Sequence, residues 1–336
     1  MFEQALNGMK DGVLMVDSTE TIIFANRALS AILSLSQAEL IGKRPLEAIR
    51  LIELAELIAE VRSTGSAASR EMKVVYPQEK TLLGSANLIK TDNGPGVAVI
   101  VQDISEIKKL ENLRQEFVAN VSHELKTPLT AIKSYAETLI HGAIDDPINN
   151  RPFLEKIEKN AKSLAALIDD TLEISRLESR RGVAPFAPVH LSDEIEQALE
   201  TLAPRIKEKE LEIIKAGEPE SCTVSGEAEH IYRALLNLLD NAVKYSPAGG
   251  RIELACAQTD RELRLSVKDH GPGIPAEHQP RLFERFYRVD KARSRELGGT
   301  GLGLSIVKHI MEIHGGRVEL KSTAGQGAEF TLIFPR

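Results

Sequence analysis

Cysteine is scarce: only Cys222 and Cys256 occur in 336 residues. Such sparse use suits a reducing compartment, so the two are expected as separate small buried hydrophobes rather than as a disulfide. No Cys-x-x-Cys and no Cys/His cluster suggests structural zinc. No apolar run approaches the roughly 18 residues that signal a membrane span. The opening MFEQALNGMKDG lacks the basic-then-apolar pattern of a signal peptide. The expected location is therefore the cytoplasm, with a membrane-anchored form left open should the chain be a truncation. Basic excess is missing too. The formal net charge of −7 argues against nonspecific nucleic-acid binding and against a polybasic membrane patch. There is no internal repeat and no low-complexity tract.

What is present is an ordinary globular composition, 42% hydrophobic and 27% charged, long enough for two or three domains. Residues 1–104 read as a small α/β unit. DGVLMVD (11–17) and TIIFAN (21–26) are short strands joined by a polar turn. Helical patterns follow from Arg27 to about Arg62, then the strands EMKVVYP, KTLLGSANLIK and GVAVIVQDI. Asp92-Asn93-Gly94 reads as a hairpin turn. A mixed antiparallel sheet with helices on one side is expected.

From Asp103 the period becomes helical. Phe117, Val121, Leu125, Pro128, Ile132, Tyr135 and Leu139 fall within about 40° of one line at 100° per residue. HGAIDDPINNRP (141–152) is a break, and Phe153, Ile157, Ala161, Leu164, Ile168 and Leu172 make a second seam. Two lone helices cannot bury two such seams well. A homodimer forming a four-helix bundle over 105–183 is the economical solution. RRGVAPFAP (180–188) reads as a linker. Residues 184–336 alternate helical and strand patterns, an α/β sandwich of helices on a mixed sheet.

Five stretches carry candidate chemistry. The first is VSHELKTPLT (121–130). His123 lies about 200° from Val121, facing away from the seam. Glu124 adjoins it, Thr127 shares its face one turn on, and Pro128 should kink the helix. A neutral imidazole is a good nucleophile, and a neighbouring carboxylate can hold its tautomer and take its proton. Taken alone, an exposed helical histidine with a capping pattern is the commoner meaning.

The second is LLNLLDNAVKYSP (235–247), where Asn237, Asn241 and Lys244 share a face within about 60° opposite the apolar one. A carboxamide oxygen is a hard ligand for Mg²⁺, and the amine offsets phosphate charge. Alone, a solvated polar face explains it better. The third is LSVKDHGPGIP (265–275). Asp269 ends a strand and can accept from an exocyclic amine such as adenine's, while Gly271 and Gly273 let a flat ring approach the backbone. An ordinary Asp-Gly-Pro turn is the bland alternative. The fourth, LFERFYRVD (282–290) followed by KARSREL, offers Phe283 and Phe286 as pins for a lid, or as plain core. The fifth, GGTGLGLSIVKHI (298–310), is a glycine-rich loop entering a helix, whose amides and dipole can bind phosphate. It is neither a P-loop nor a dinucleotide fingerprint.

In this order the five resemble the H, N, G1, F and G2 boxes of sensor histidine kinases of two-component systems, over about residues 113–336. The resemblance implies a multidomain α+β chain: a PAS-like mixed sheet, a dimeric four-helix bundle and an α/β sandwich of the GHKL ATPase type. It implies that His123 is the phosphoacceptor, Glu124 its acid/base partner, and that Thr127 places water for dephosphorylating a response regulator. Asn241 would hold Mg²⁺. ATP would contact Asn237, Lys244, Tyr245, Gly271, Gly273, Tyr287, Arg288, Gly299, Thr300, Gly301, Leu302 and Gly303, with Asp269 on the adenine. His270 stands where relatives often have Asn or Thr.

Residues 1–104 look like a PAS sensor domain, and Asp103-Ile104-Ser105 like its exit into the helix. No histidine precedes His123, which argues against histidine-ligated haem there, and no cysteine precedes Cys222, which excludes flavin–cysteinyl photochemistry. The PAS ligand is otherwise open. No receiver domain follows Arg336, so the phosphoryl group is expected to leave to a separate regulator. Rival readings are a gyrase-like or chaperone-like ATPase clamp, a catalytically dead PAS scaffold, and a protein acting mainly as a phosphatase. The first leaves VSHELKTPLT unexplained; intact Asn241, Asp269 and glycines oppose the second; Thr127 permits the third.

Overall fold

The computed structural model describes residues 2–75, 78–146, 148, 150–179, 186–216, 222–290 and 299–336. The stretch KARSREL, Gly298, the end of EMKVVYP and positions 180–185 of the expected linker lie outside these. Internal contacts divide the chain into Met1–Glu116 and Phe117–Arg336, and each unit is taken by itself. The division falls inside one helix, Ser105–Ile140.

The first unit holds α1 (Phe2–Asn7), β1 (Gly12–Val16), β2 (Ile22–Ala25), α2 (Arg27–Leu33), α3 (Gln37–Leu40), α4 (Pro45–Ala48), α5 (Ile52–Thr64), β3 (Ala68–Val74), β4 (Lys80–Thr91) and β5 (Gly94–Asp103). The sheet order is β2-β1-β5-β4-β3, antiparallel throughout. Strand alternation explains the core. Leu14, Val16, Leu82, Ala86, Val97, Val99 and Val101 share a buried face with Leu54, Leu57, Ile58 and Val61 of α5. The polar turn after β1 is closed by Asp17, whose Oδ1 accepts the amides of Thr19 at 2.8 Å and Thr21 at 3.0 Å. The expected hairpin at 92–94 joins β4 to β5, with Gly94 at φ 109°.

Asn26 is fully buried and satisfied. Its Oδ1 accepts from the amides of Val13 and Leu29, both at 2.9 Å, so it caps α2 and ties it to β1. At the far end Asp103 Oδ1 accepts the amide of Ser105 at 3.0 Å, and Ser105 Oγ accepts the amide of Thr81 at 2.9 Å. The expected exit Asp103-Ile104-Ser105 is thus where β4 and the start of α6 (Ser105–Ile140) are fastened.

The second unit takes in the rest of α6, then α7 (Asn150–Ser179). α6 is one continuous element with Pro128 inside it. Tyr135 and Phe153 meet near the connection, ring centroids 5.8 Å apart. Next come β6 (Ala187–His190), α8 (Leu191–Glu208), β7 (Glu212–Ala216), β8 (Thr223–Gly226), α9 (Ala228–Tyr245), β9 (Arg251–Gln258), β10 (Glu262–Asp269), α10 (Gly303–Ile313), β11 (Arg317–Ser322) and β12 (Ala328–Pro335). The sheet order is β11-β12-β10-β9-β7; only β7 and β9 run parallel, and β6 pairs β8 separately. The sandwich is as expected, with three short strands, β6 to β8, added.

α9 forms because Ile231, Ala234, Leu235, Leu238, Leu239, Ala242 and Val243 make one buried stripe. Pro247 follows its end. Lys209 Nζ donates to the last-turn carbonyls of Val243 at 2.8 Å and Lys244 at 2.9 Å, and to Ser246 at 3.0 Å.

Two expectations need correction. Along α7 the second seam is only half the story. Ala161, Ile168 and Leu172 are exposed, whereas Leu167, Ile174 and Leu177 are buried in the core shared with α9 and α10. The helix has two apolar stripes, roughly 100° apart at the helical period. The cysteines also depart from expectation. Cys222 is buried as foreseen, but it is bonded to Cys256 of β9 across 34 positions of sequence. Sequence separation does not reveal that the entry to β8 and the middle of β9 lie side by side.

Candidate functional site

A cavity of about 630 Å³ opens between α9, the end of β10, the segment 282–290 and the loop entering α10. The polar face of α9 supplies Asn237, Asn241, Lys244 and Tyr245 to it. Asp269 and Gly273 come from the β10 end, Tyr287 and Arg288 from the fourth stretch, and Gly299, Thr300, Gly301 and Gly303 from the loop. Four sequence stretches, up to about 70 residues apart, therefore meet in one place.

Asp269 is buried, 6% exposed. Its Oδ1 accepts the amide of Gly271 at 2.8 Å and that of Ala328 at 3.3 Å. Oδ2 accepts none among the described residues and is the oxygen available to a ligand amine. Burial pushes this carboxyl above its ordinary range, against the two amides that favour its charge. Gly271 does not line the cavity; its part is to hold Asp269.

Asn241 makes no side-chain hydrogen bond among the described residues, so its carboxamide is free to meet a ligand. Asn237 donates to the carbonyl of Arg233 at 2.9 Å, and its Oδ1 presses on Gly303, where a Cβ would come within 2.5 Å. Gly301 sits at φ 76°, its carbonyl accepting the amide of Phe286 at 2.8 Å. Leu302 differs from the rest: it is fully buried in the core, so only its backbone can serve a ligand. Lys244 is held 2.5 Å from Asp240. Tyr287 is fixed by its hydroxyl, 2.7 Å from Nδ1 of His278, and by the Arg281 guanidinium 4.5 Å over its ring. Phe283 packs edge-on to Phe330, and Phe286 meets Phe117 of α6 at 5.9 Å.

His123 is outside the cavity, its side chain 72% exposed on α6. Glu124 Oε1 lies 3.8 Å from its Nδ1, while Oε2 lies 3.3 Å from Nη2 of Arg288. Thr127 donates to the carbonyl of His123 at 3.3 Å. The first motif is thus joined to the cavity through one carboxylate.

Several residues escaped the sequence reading. Arg233 and Asp240 line the cavity from α9, and Asp240 also pairs with Arg205. Both belong to the polar face already marked by Asn237 and Asn241, so the helical wheel contained them. Ala166 and Asp170 reach the cavity from α7, and Asp170 Oδ2 accepts the Thr300 hydroxyl at 2.7 Å. No motif flags them. No group of three or more His, Cys, Asp or Glu suited to a metal ion occurs among the described residues. The Asn241 carboxamide at the cavity is a hard oxygen donor, of the kind suited to a divalent cation that accompanies a polyphosphate.

Residues 226–336 match the family described as histidine kinase-, DNA gyrase B- and HSP90-like ATPases. Residues 113–180 match the His Kinase A (phospho-acceptor) domain, and residues 1–104 the PAS fold. The sensor-like histidine kinase SenX3 of Mycolicibacterium smegmatis is 34% identical over 96% of this chain and 83% of its own. The phosphate regulon sensor protein PhoR of Pseudomonas aeruginosa is 31% identical over 99% and 73%. The sensor histidine kinase WalK of Bacillus subtilis is 32% identical over 97% of this chain, which spans 54% of WalK. Among solved structures, the histidine kinase ThkA in complex with the response regulator protein TrrA aligns over 99% of this chain and 97% of its own. Its TM-score is 0.55 at 20% identity, a likeness of fold. Among the described residues no helix is long and apolar enough to cross a membrane.

Proposed function

This chain belongs to the sensor histidine kinases of two-component systems, and from that premise we propose that His123 is the side chain that takes the phosphoryl group. The activity is that of an ATP-dependent protein-histidine kinase which passes its phosphoryl group to a response regulator. The observation that carries the residue assignment is the chain of contacts from the exposed His123 through Glu124 to Arg288 at the cavity.

Nε2 of neutral His123 attacks the γ-phosphorus, the bond to the β–γ bridging oxygen breaks, and ADP leaves. The proton on Nδ1 passes to Glu124, which also holds the imidazole in the tautomer that frees Nε2. Asp269 takes the adenine amine through Oδ2. Asn237, Lys244, Arg288 and the amides of 299–303 orient the triphosphate. Asn241 would hold Mg²⁺, which when bound draws charge from the transferring phosphate.

Residues 1–104 serve as the sensor, 105–183 as the dimerising and phosphotransfer segment, and 184–336 as the ATP-binding domain. The dimer rests on the exposed stripe of α7, and the regulator is a separate protein of the cytoplasm, where ATP is. Incubation with γ-labelled ATP and Mg²⁺ gives an acid-labile, base-stable label that His123→Gln abolishes while nucleotide still binds. Label persisting in that variant removes the assignment.

A second reading, a phosphatase of the phosphorylated regulator, is favoured by Thr127, exposed one turn beyond His123. Its hydroxyl can orient water toward an acyl phosphate. Thr127→Ala then lengthens the half-life of the phosphorylated regulator and spares autophosphorylation.

A further inference from the structure

The partners of three carboxylates on the helical segment form a pattern. Glu124 of α6 pairs with Arg288, Asp170 of α7 with Thr300, and Glu178 of α7 with Arg285. Each acid comes from α6 or α7, and each partner from a loop bordering the cavity. Apolar contact backs them: Leu167, Ile174 and Leu177 enter the sandwich core, and Arg285 lies over the Phe117 ring at 5.1 Å.

Asp170 is the telling member. It lines the cavity itself, half-buried, with Thr300 at 2.7 Å and within the fields of Arg233 and Lys244. Those are donors and cations that a triphosphate would use. Burial raises its carboxyl above the ordinary range despite the cations, as for an anion in a site too dry for it.

We propose that Asp170 is an internal competitor of the triphosphate: docking α7 on the ATP-binding part puts a carboxylate onto the phosphate-binding groups, so nucleotide binding and docking oppose one another. A triphosphate carries about four negative charges, and Thr300 and Arg288 cannot serve it and the carboxylates of Asp170 and Glu124 together. Coupling is reciprocal. Whatever tightens the docked state weakens nucleotide, and nucleotide frees the ATP-binding part to travel to His123. The inference rests on the cavity being the ATP site.

The test is equilibrium binding to the full chain of two probes, the non-hydrolysable triphosphate AMP-PNP with Mg²⁺ and adenosine, which lacks phosphate. Glu178→Arg breaks docking without altering the cavity, and Asp170→Asn removes the competing charge while leaving Thr300 a partner. Each should bind AMP-PNP at least about fivefold more tightly, the low end of ordinary allosteric coupling. Adenosine affinity should not move. The reversed pair Glu178→Arg with Arg285→Glu should restore the weaker AMP-PNP binding, which shows that the docking contact and not a folding defect is responsible. Unchanged AMP-PNP affinity in Glu178→Arg, or adenosine tightening equally, overturns the competition. Wild type binding neither probe overturns the assignment of the ATP site, and the competition with it.

Discussion

Glu124 lies between His123 and the cavity-lining Arg288, its Oε2 3.3 Å from Nη2 of Arg288 and its Oε1 3.8 Å from Nδ1 of His123. One carboxylate oxygen is tied up by a guanidinium that is only 7% exposed, and the other faces the imidazole. The pairing aims Glu124 in the described state. Glu124→Gln keeps the size and a hydrogen-bonding oxygen but takes no proton. Single-turnover autophosphorylation at saturating Mg-ATP should slow about 100-fold, the usual scale of a lost general base. An unchanged rate would leave Glu124 as no more than a docking residue.

Asp269 offers Oδ2 alone, since Oδ1 is occupied by the amides of Gly271 and Ala328. A purine with an exocyclic amine can donate to that oxygen, and one with a carbonyl there leaves two acceptors face to face. ATP should therefore bind more than tenfold tighter than GTP, a difference of about 1.4 kcal/mol or more. Asp269→Asn should lose most of that preference if its amide nitrogen takes the Oδ2 position. Competition binding of the two nucleotides measures both, and equal affinities in the wild type would end the adenine assignment.

Much of this site was legible because motif chemistry and helical period agree. The stretch 235–247 announces its polar face by wheel, and Asn237, Asn241 and Lys244 do line one cavity. Asp269 at a strand end and the glycines of 299–303 are similarly local signals. What was not legible depends on which surfaces meet. Asp170 is an ordinary helical acid until α7 is laid beside the loop holding Thr300. Leu167, Ile174 and Leu177 form a seven- and three-spaced stripe that a single-seam reading of α7 passes over. Cys222 and Cys256 carry no local sign of their pairing, because β8 pairs with β6 while β9 belongs to the five-stranded sheet, and only tertiary packing brings Cys222 beside Cys256.

His314, at the end of α10, supplies a pH dependence unrelated to catalysis. It is 5% exposed, with Nδ1 donating to the Ile310 carbonyl at 2.7 Å and Nε2 accepting the Glu227 amide at 3.2 Å. One donor and one acceptor are required, so the site selects the neutral ring. Phe186 stacks on it at 4.7 Å, and His230 stands edge-on at 6.2 Å. Burial lowers its pKa below 6.5, the neighbouring His230 adds to this, and the Ile310 carbonyl and Glu227 oppose it. The unfolded chain takes up this proton near pH 6.5 and the folded chain only at lower pH. The His314 contribution to stability is therefore complete above pH 6.5 and is lost as pH falls below it. Between pH 7.5 and 5.5 the transition of the ATP-binding part should drop by on the order of 3 °C more in the wild type than in His314→Gln. Equal drops in the two proteins would show that other groups govern the acid side.

The two stripes of α7 predict two different failures. Ile168 and Leu172 are 44% and 52% exposed, while Leu167 and Ile174 are 4% and 3% exposed. A solvent-facing Ile and Leu one turn apart, on a helix whose other stripe is already buried, are the surface a second copy would cover. Burying each fully is worth about 1.5–3 kcal/mol. A pair of them in each of two chains is thus a large part of a dimer's stability. Ile168→Glu with Leu172→Glu should give a chain that is monomeric by light scattering, keeps its ATP affinity and unfolds at nearly the wild-type temperature in its ATP-binding part. Leu167→Glu should do the opposite. It puts a charge into the core that α9 and α10 share, so the thermal transition of that part falls steeply through an uncompensated buried carboxylate. If the exposed pair leaves the mass unchanged at dimer size, the α7 stripe is not the dimer contact. If the wild type is itself a monomer at micromolar concentration, the four-helix bundle is wrong.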